Sequence, residues 1–284
     1  MLWPSSGTTK GEAITYYARV GPTLIPHLAG RPLTVVRFPD GVEGERFYEK
    51  RKPRGAPDWV RSEPVGMDRA GVIDFVICDD VATLIWLAQL AALELHPSLS
   101  LAEEMDRPTA MVFDLDPGPP AGIRECCQVA LRVRELFGSL GLDSYAKTSG
   151  SKGVQVYVPL NTEVTYDETK RYARAVAQAL ERAEPELVVS RMTKKLRNGK
   201  VLVDWSQNTR AKTTVAVYSL RARERPTIST PLLWEEVEAG AAGEADLRFE
   251  AAEVLARIDE HGDLFRPVLE LEQELPDPAA TRSS

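Results

Sequence analysis

Residues 110–120 read AMVFDLDPGPP, an apolar run that enters two aspartates one residue apart and stops at Pro-Gly. In a strand, side chains alternate between faces, so Asp114 and Asp116 point one way while Phe113 and Leu115 point the other. Pro117 and Gly118 end the strand, because proline donates nothing to a sheet ladder. Two adjacent carboxylates repel, and one takes up a proton unless a positive charge sits between them. A hard divalent cation supplies that charge, and Mg²⁺ or Mn²⁺ accepts carboxylate and phosphate oxygens together. The alternative reading of these residues is an Asp-rich turn that caps a strand.

A third carboxylate stands in GKVLVDWSQN, where Asp204 interrupts an apolar strand on the face it shares with Leu202. Aspartate is poor in a strand, and burying it without a partner is costly; an edge strand meeting solvent is the plainer alternative. Beside Asp114 and Asp116 it would let two cations sit a few ångströms apart, the arrangement for in-line phosphoryl transfer. The turn TSGSKG offers the Ser149 and Ser151 hydroxyls, the Lys152 ammonium and glycine amides that can approach a polyphosphate. It lacks the spacing of a Walker loop, and many hairpin turns share its composition. Arg197, Gln207, Arg221 and Arg223 gather in sequence around Asp204. Arginines one residue apart in a strand point the same way, as a triphosphate clamp requires; a solvated surface is the alternative. His96 ends an apolar run, where capping is its simpler role.

Charge is segregated along the chain. The net charge of −7 over 284 residues discourages a nucleic-acid reading, but residues 190–225 hold ten Lys/Arg against two acids. Residues 234–284 hold fourteen acids against four arginines. A second basic cluster, GERFYEKRKPRGAPDWV, sets Lys50 and Arg51 beside Phe47 and Tyr48. Cations interleaved with aromatics track a phosphate backbone and stack bases; scattered solvated charge is the other reading. Composition, at 43% hydrophobic and 27% charged, is that of a globular protein. Cys78, Cys126 and Cys127 form no Cys-x-x-Cys pair, which suggests neither a disulfide framework nor a zinc site and points to a reducing compartment. No basic-then-apolar leader opens the chain and no apolar run approaches the roughly 18 residues needed to span a bilayer. A cytoplasmic protein with no membrane partner is expected.

The elements that must position these residues follow from periodicity and punctuation. TTKGEAITYYARVGPTLIPHL is expected to be a helix with a Thr cap, breaking near Gly21-Pro22. RPLTVVRFPDG and RFYEKRKP are two strands around the Asp40-Gly41 turn region. DVATLIWLAQLAALELH is apolar on nearly every face and reads as one buried helix. After strand 110–116, GIRECCQVALRVRELFGSLG is an amphipathic helix ending at glycines. DSYAKTSGSKGVQVYVPL is a hairpin, and TYDETKRYARAVAQALERAEP is a helix opened by a Thr165–Glu168 capping box. GKVLVDWSQN and TTVAVYSLRAR read as strands, and LRFEAAEVLARIDEHGDLF as a closing helix. The mixture predicts an α+β fold with central, mostly antiparallel sheets flanked by helices, as one domain over 1–272 with a disordered tail at 273–284.

Seven stretches in order, ARVGPTLIPHLAGRP, RFPDGVEGERFYEK, LAQLAALELH, MVFDLDPG, TSGSKGVQVYVPL, MTKKLRNGKVLVDWSQN and KTTVAVYSLRAR, resemble the polymerase domain of bacterial ligase D and its stand-alone relatives in the archaeo-eukaryotic primase superfamily. The resemblance runs from residue 2 to about residue 265. It implies a catalytic core that performs nucleotidyl transfer with Mn²⁺ or Mg²⁺, extending a primer at gaps and broken DNA ends, often with ribonucleotides. It further implies that Asp114, Asp116 and Asp204 are the metal ligands. The same resemblance puts His96, Ser149, Lys152, Gln207 and Arg221 in the nucleoside triphosphate pocket, with Arg197 close by and Ser151 in the same turn. Phe47 then packs on the template base with Tyr48 next to it, and Lys10 serves a downstream 5′-phosphate. Expected partners are gapped or end-containing DNA with a 5′-phosphate, nucleoside triphosphates, and a separate DNA ligase and end-binding protein at the nucleoid.

Three departures qualify the resemblance. Gln155 replaces the usual histidine of the Gly-x-His motif, keeping a donor and an acceptor but losing any positive charge. The chain begins at Met1-Leu2-Trp3-Pro4, inside the first motif, and no ligase or nuclease module accompanies it, so a stand-alone polymerase is expected. The segment SLSLAEEMDRP between His96 and Asp114 is short and acidic, which favours gap filling over bridging of ends. Two other functions fit parts of the pattern. One is a weak or inactive relative that binds DNA ends or gaps. The other is a haloacid-dehalogenase-like phosphatase, whose aspartate motif Pro117-Gly118 fits badly.

Overall fold

The computed structural model describes residues 1–67 and 71–276. Its backbone groups into two compact units. The first is Met1–Met105 with Ala211–Thr230 and Arg248–Asp263; the second is Asp106–Arg210 with Pro231–Leu247 and the chain from Leu264 onward.

In the first unit, α1 (Lys10–Leu24) starts at Thr9, whose side chain accepts from the Glu12 amide while Glu12 caps Thr9 in return. The expected break at Gly21-Pro22 is absent. Pro22 lies inside the helix, which runs on through Leu24 into a 3₁₀ turn at Ile25–His27. Gly21 lets that turn of α1 lie against Val81 and Leu84, where an added Cβ would already be tight at 3.2 Å. Then come β1 (Leu33–Arg37), β2 (Phe47–Glu49), β3 (Ser62–Met67), β4 (Gly71–Val76), α2 (Val81–Gln89) and β5 (Ala92–Pro97). Antiparallel pairing gives the order β2-β1-β4-β3, with β5 also on β1. The run read as one buried helix is therefore α2 followed by β5. Ala91, at φ 57°, turns the chain between them, and an all-apolar stretch does not distinguish a buried strand from a buried helix.

The second unit begins with β6 (Ala110–Pro117), α3 (Ile123–Ser139), β7 (Tyr145–Thr148), β8 (Val154–Pro159), α4 (Tyr166–Ala183), β9 (Val188–Val189) and β10 (Val201–Asp204). It continues with β11 (Pro231–Leu232) and α5 (Trp234–Ala242). Its sheet runs β11-β7-β8-β6-β10-β9, antiparallel except for β9 on β10. Phe113 stacks on Phe137 of α3 at 5.5 Å between centroids, and Phe137 meets Tyr172 of α4. The helices thus cover the face of β6 that carries Phe113 and Leu115. Alternation aims Asp114 and Asp116 at the opposite face. The α+β class with mostly antiparallel sheets is as expected.

Later in the chain, α6 (Ala251–His261) belongs to the first unit and the short α7 (Pro267–Glu270) to the second. The expected strand in TTVAVYSLRAR is not formed. That segment is irregular, with isolated bridges Ser98↔Thr213 and Leu220↔Ile228 and with Tyr218 at φ 64°. Its backbone is satisfied piecemeal: the Ala216 amide donates to Leu95 O, Tyr218 N to Ser229 O, and the Tyr218 carbonyl accepts from Tyr16 Oη. Of the segment read as tail, Gln273 donates through Nε2 to the Pro159 and Asp143 carbonyls, and residues 277–284 lie outside the described residues.

Candidate active site

The register of the second sheet puts four polar side chains in one row. Lys147 pairs with Gln155, Gln155 with Asp114, and Asp114 with Asp204, across β7, β8, β6 and β10. Directly opposed residues in antiparallel strands share a face with Cβ atoms about 5 Å apart. Asp204, 8% exposed, therefore stands beside Asp114, and the edge-strand alternative does not hold. Asp116 opposes Leu202 two positions further on and is exposed.

Local sequence explains why the row holds. Gly118 ends β6 where the backbone of the 197–200 turn presses against it; an added Cβ would lie 1.9 Å from the Arg197 carbonyl oxygen. The Gly118 amide donates to Lys200 O, and Gly199 N donates back to Gly118 O, which feeds the chain into β10 in register. Past Asp204, the buried Asn208 continues the ladder with its side chain. It accepts from Val112 N at 2.9 Å and donates to Val112 O at 2.7 Å.

The carboxylates are held by amides. Asp114 Oδ1 accepts from Gln155 Nε2 at 3.0 Å, and Gln207 Nε2 reaches Asp114 Oδ2 and Asp204 Oδ2 at 3.3 Å each. Asp204 Oδ1 takes the amide and hydroxyl of Ser206. Burial, then the charge of Asp116, push the Asp114 carboxyl well above the usual carboxylate range, opposed by the Gln155 hydrogen bond. Three hard oxygen donors carrying this mutual repulsion suit Mg²⁺ or Mn²⁺ in type. Among the described residues, no group of three or more His, Cys, Asp or Glu side chains is gathered tightly enough to form a ready cage.

The TSGSKG turn joins β7 to β8, with Gly150 at φ 65°. Gly153 is pressed against β6, where a Cβ would sit 2.2 Å from the Leu115 oxygen. Ser149 Oγ accepts from the amides of Ser151 and Gly153, so the Gly153 amide, expected to approach a polyphosphate, is turned inward. Lys152 is exposed at the tip and Ser151 half-buried. Arg197 donates to the Met192 carbonyl.

His96 and Arg221 lie in the first unit, and Glu94 holds both. Glu94 Oε2 is 3.1 Å from His96 Nε2, and Oε1 is 3.2 Å from Arg221 Nε while accepting the Ala222 amide. Burial alone would raise this carboxyl; the His96 hydrogen bond and the Arg221 charge instead bring it down to about 2. Arg223 sits near Arg221 and Arg46, and burial followed by Arg221 repulsion lowers its pKa. The face-sharing argument for Arg221 and Arg223 fails with the strand, but a cationic group remains. His96 stands on β5 rather than capping a helix. Phe47 and Tyr48 are 48% and 65% exposed on β2, an edge strand, with Arg46 stacked 5.7 Å from the Tyr48 ring. Lys50 and Arg51 are exposed beyond them, and Lys10 is half-buried in the first turn of α1. Sequence reading passed over Glu94 and Lys147. The available signal was a charge inside an otherwise apolar strand, the same one that singled out Asp204.

A family model described as LigD, primase-polymerase domain, matches residues 9–265. The chain belongs to the LigD primase-polymerase domain family. It is 43% identical over 270 residues, 94% of its length, to the multifunctional non-homologous end joining protein LigD of Mycolicibacterium smegmatis. It is 36% identical over 239 residues, 84% of its length, to the bifunctional non-homologous end joining protein LigD of Bacillus subtilis. The match spans only 35% and 38% of those two proteins. Among solved structures, the polymerase domain from Mycobacterium tuberculosis ligase D in complex with DNA superposes with a TM-score of 0.89 at 40% identity, covering 96% of each chain. Membership of the LigD primase-polymerase family bears out the resemblance read from the seven motifs and leaves the phosphatase alternative without support. Among the described residues no helix is long and apolar enough to cross a membrane.

Proposed function

We propose that this chain is a nucleotidyltransferase that adds nucleotides to a primer 3′-hydroxyl at gaps or broken DNA ends, releasing pyrophosphate. The observation that carries the reading is the pairing of Asp204 with Asp114 beside Asp116 on the face turned away from the α3–α4 layer. Those carboxylates would hold Mn²⁺ or Mg²⁺, which when bound lowers the pKa of an attacking hydroxyl and supports the leaving pyrophosphate.

The protein's own residues orient and neutralise. Gln155 and Gln207 fix both oxygens of Asp114, and Ser206 fixes Asp204, so the carboxylates need little reorganisation. Lys152 offers a cation on a hairpin turn that Ser149 has already ordered. In the first unit, the Arg221 guanidinium on the Glu94 anchor offers a cation for phosphates and His96 a ring N–H, while exposed Phe47 and Tyr48 offer rings for bases. Lys50 and Arg51 serve the DNA backbone, and Lys10 a 5′-phosphate. The solved relative contains DNA, and similar proteins act in end joining, which supports a role in DNA repair with a separate ligase and end-binding protein. The compartment we propose is the cytoplasm, at the nucleoid, and the favoured substrates are ribonucleoside triphosphates.

Primer extension on gapped duplexes with and without a 5′-phosphate, supplying each metal and each nucleotide set in turn, tests this reading. Extension that needs the metal, strengthens with the 5′-phosphate and prefers ribonucleotides is expected. DNA binding without extension under any of these conditions would instead identify a non-catalytic end or gap binder.

A further inference from the structure

Lys147 is fully buried, with 0% of its surface exposed. A buried ammonium is costly unless it is partnered, and this one is out of reach of a DNA backbone. Its Nζ donates to Gln155 Oε1 at 2.6 Å and lies 5.5 Å from the centre of the Tyr157 ring. Gln155, itself 4% exposed, donates from Nε2 to Asp114 Oδ1. Backbone register puts the three residues side by side, so the contacts follow from the sheet rather than from long flexible reaches.

The chemistry of the pair is directional. An ammonium only donates, so Gln155 must turn its oxygen toward Lys147. That leaves the amide NH₂ no choice but to face Asp114. Without Lys147 the Gln155 oxygen loses the donor that anchors it, and the amide can swing away from Asp114. Asp114 would then lose the bond that turns its other oxygen toward Gln207.

We propose that Lys147 is a positioning residue for nucleotidyl transfer: by locking the Gln155 amide it sets the Asp114 carboxylate in the orientation that receives the divalent cation. The inference rests on the proposed metal role of Asp114. Residues that orient metal ligands in this indirect way commonly change metal affinity by roughly 10- to 100-fold.

The sign of the effect separates positioning from bare charge. A nearby cation repels a metal ion, so a lysine acting through charge alone would, when removed, tighten Mn²⁺ binding. Positioning predicts the reverse. The test measures Mn²⁺ binding by calorimetry at about pH 8, where protons compete little for the carboxylates, on wild type and Lys147→Met, an apolar chain of similar length. The expected result is an unchanged melting temperature without metal and a dissociation constant raised roughly 10-fold or more. Extension should show a lower kcat with little change in the nucleotide KM. Equal or tighter Mn²⁺ binding by the folded variant overturns the proposal. Should Lys147→Met fail to fold, Gln155→Asn, one methylene short of Asp114, replaces it with the same expectation and the same overturning result. Wild-type chain that binds Mn²⁺ but extends no primer sinks the polymerase reading alone, because the affinity comparison still decides the role of Lys147.

Discussion

The half-buried Asp114 and the buried Glu94 carry carboxyls shifted in opposite directions, and their pH signatures differ accordingly. Asp114 is raised by burial and by Asp116. Below the ordinary value of 3.8, folded and unfolded chains both carry the proton; above it the unfolded chain releases the proton first. The folded state then binds more protons, so the metal-free protein loses stability as pH rises from there toward neutrality. Asp114→Asn should therefore raise the melting temperature at about pH 8 without metal and abolish the rise that Mn²⁺ gives wild type, both readable by calorimetry. Glu94 is held down to about 2, so its contribution is complete above the ordinary 4.5 and fades as pH falls through about 2. Glu94→Gln, which leaves Arg221 and His96 facing a neutral amide, should cost roughly 2–4 kcal/mol in urea unfolding at neutral pH. The deficit should shrink below pH 4.5 and vanish near pH 2.

At the scale of elements, two glycines set how closely β6 is approached. Gly118 and Gly153 admit the Arg197 and Leu115 carbonyl oxygens where any Cβ would collide. Gly118→Ala should lower stability by about 1–3 kcal/mol or more in denaturant melts and reduce extension, because the 197–200 turn that feeds Asp204 into register must move. Thr165→Ala removes only the cap of α4 and should cost about 1 kcal/mol with extension unchanged. That cap, with its Glu168 partner, was legible because capping is a contract between residues three apart. Strand 110–117 and the hairpin around TSGSKG were legible for the same reason: alternation and turn residues are local. The segment 81–97 was not, since its apolar residues fit a helix on every face and only the turn at Ala91 divides it. The segment 213–223 has strand-like alternation, but its hydrogen bonds go piecemeal to Leu95, Tyr16 and Tyr17, partners far off in sequence, and to the nearer Ser229 and Thr227. α5 was passed over although two acids in its first turn and Gly243 at φ 84° marked its ends. The metal-type aspartates were visible as charges in apolar strands; which of them would face one another was a matter of register, set by Gly118, Asn208 and the 197–200 turn.

Over the whole molecule, a net charge of −7 conceals basic clusters at residues 44–54 and 190–225. Binding to a gapped duplex should fall linearly in log salt despite the acidic average. Lys50→Ala should flatten that slope by about one, measured by fluorescence anisotropy across a salt series. An affinity indifferent to salt would mean that the basic clusters do not meet the DNA backbone. In the proposed function, Asp114, Asp116 and Asp204 form the centre of nucleotidyl transfer. Asp116, exposed at the end of β6, can be replaced with little effect on the core. The most direct measurement is therefore Mn²⁺-dependent primer extension on a gapped duplex by Asp116→Ala, with a gel-shift assay on the same DNA. Extension should disappear while the shift survives; extension retained at the wild-type rate would contradict the assignment of these aspartates.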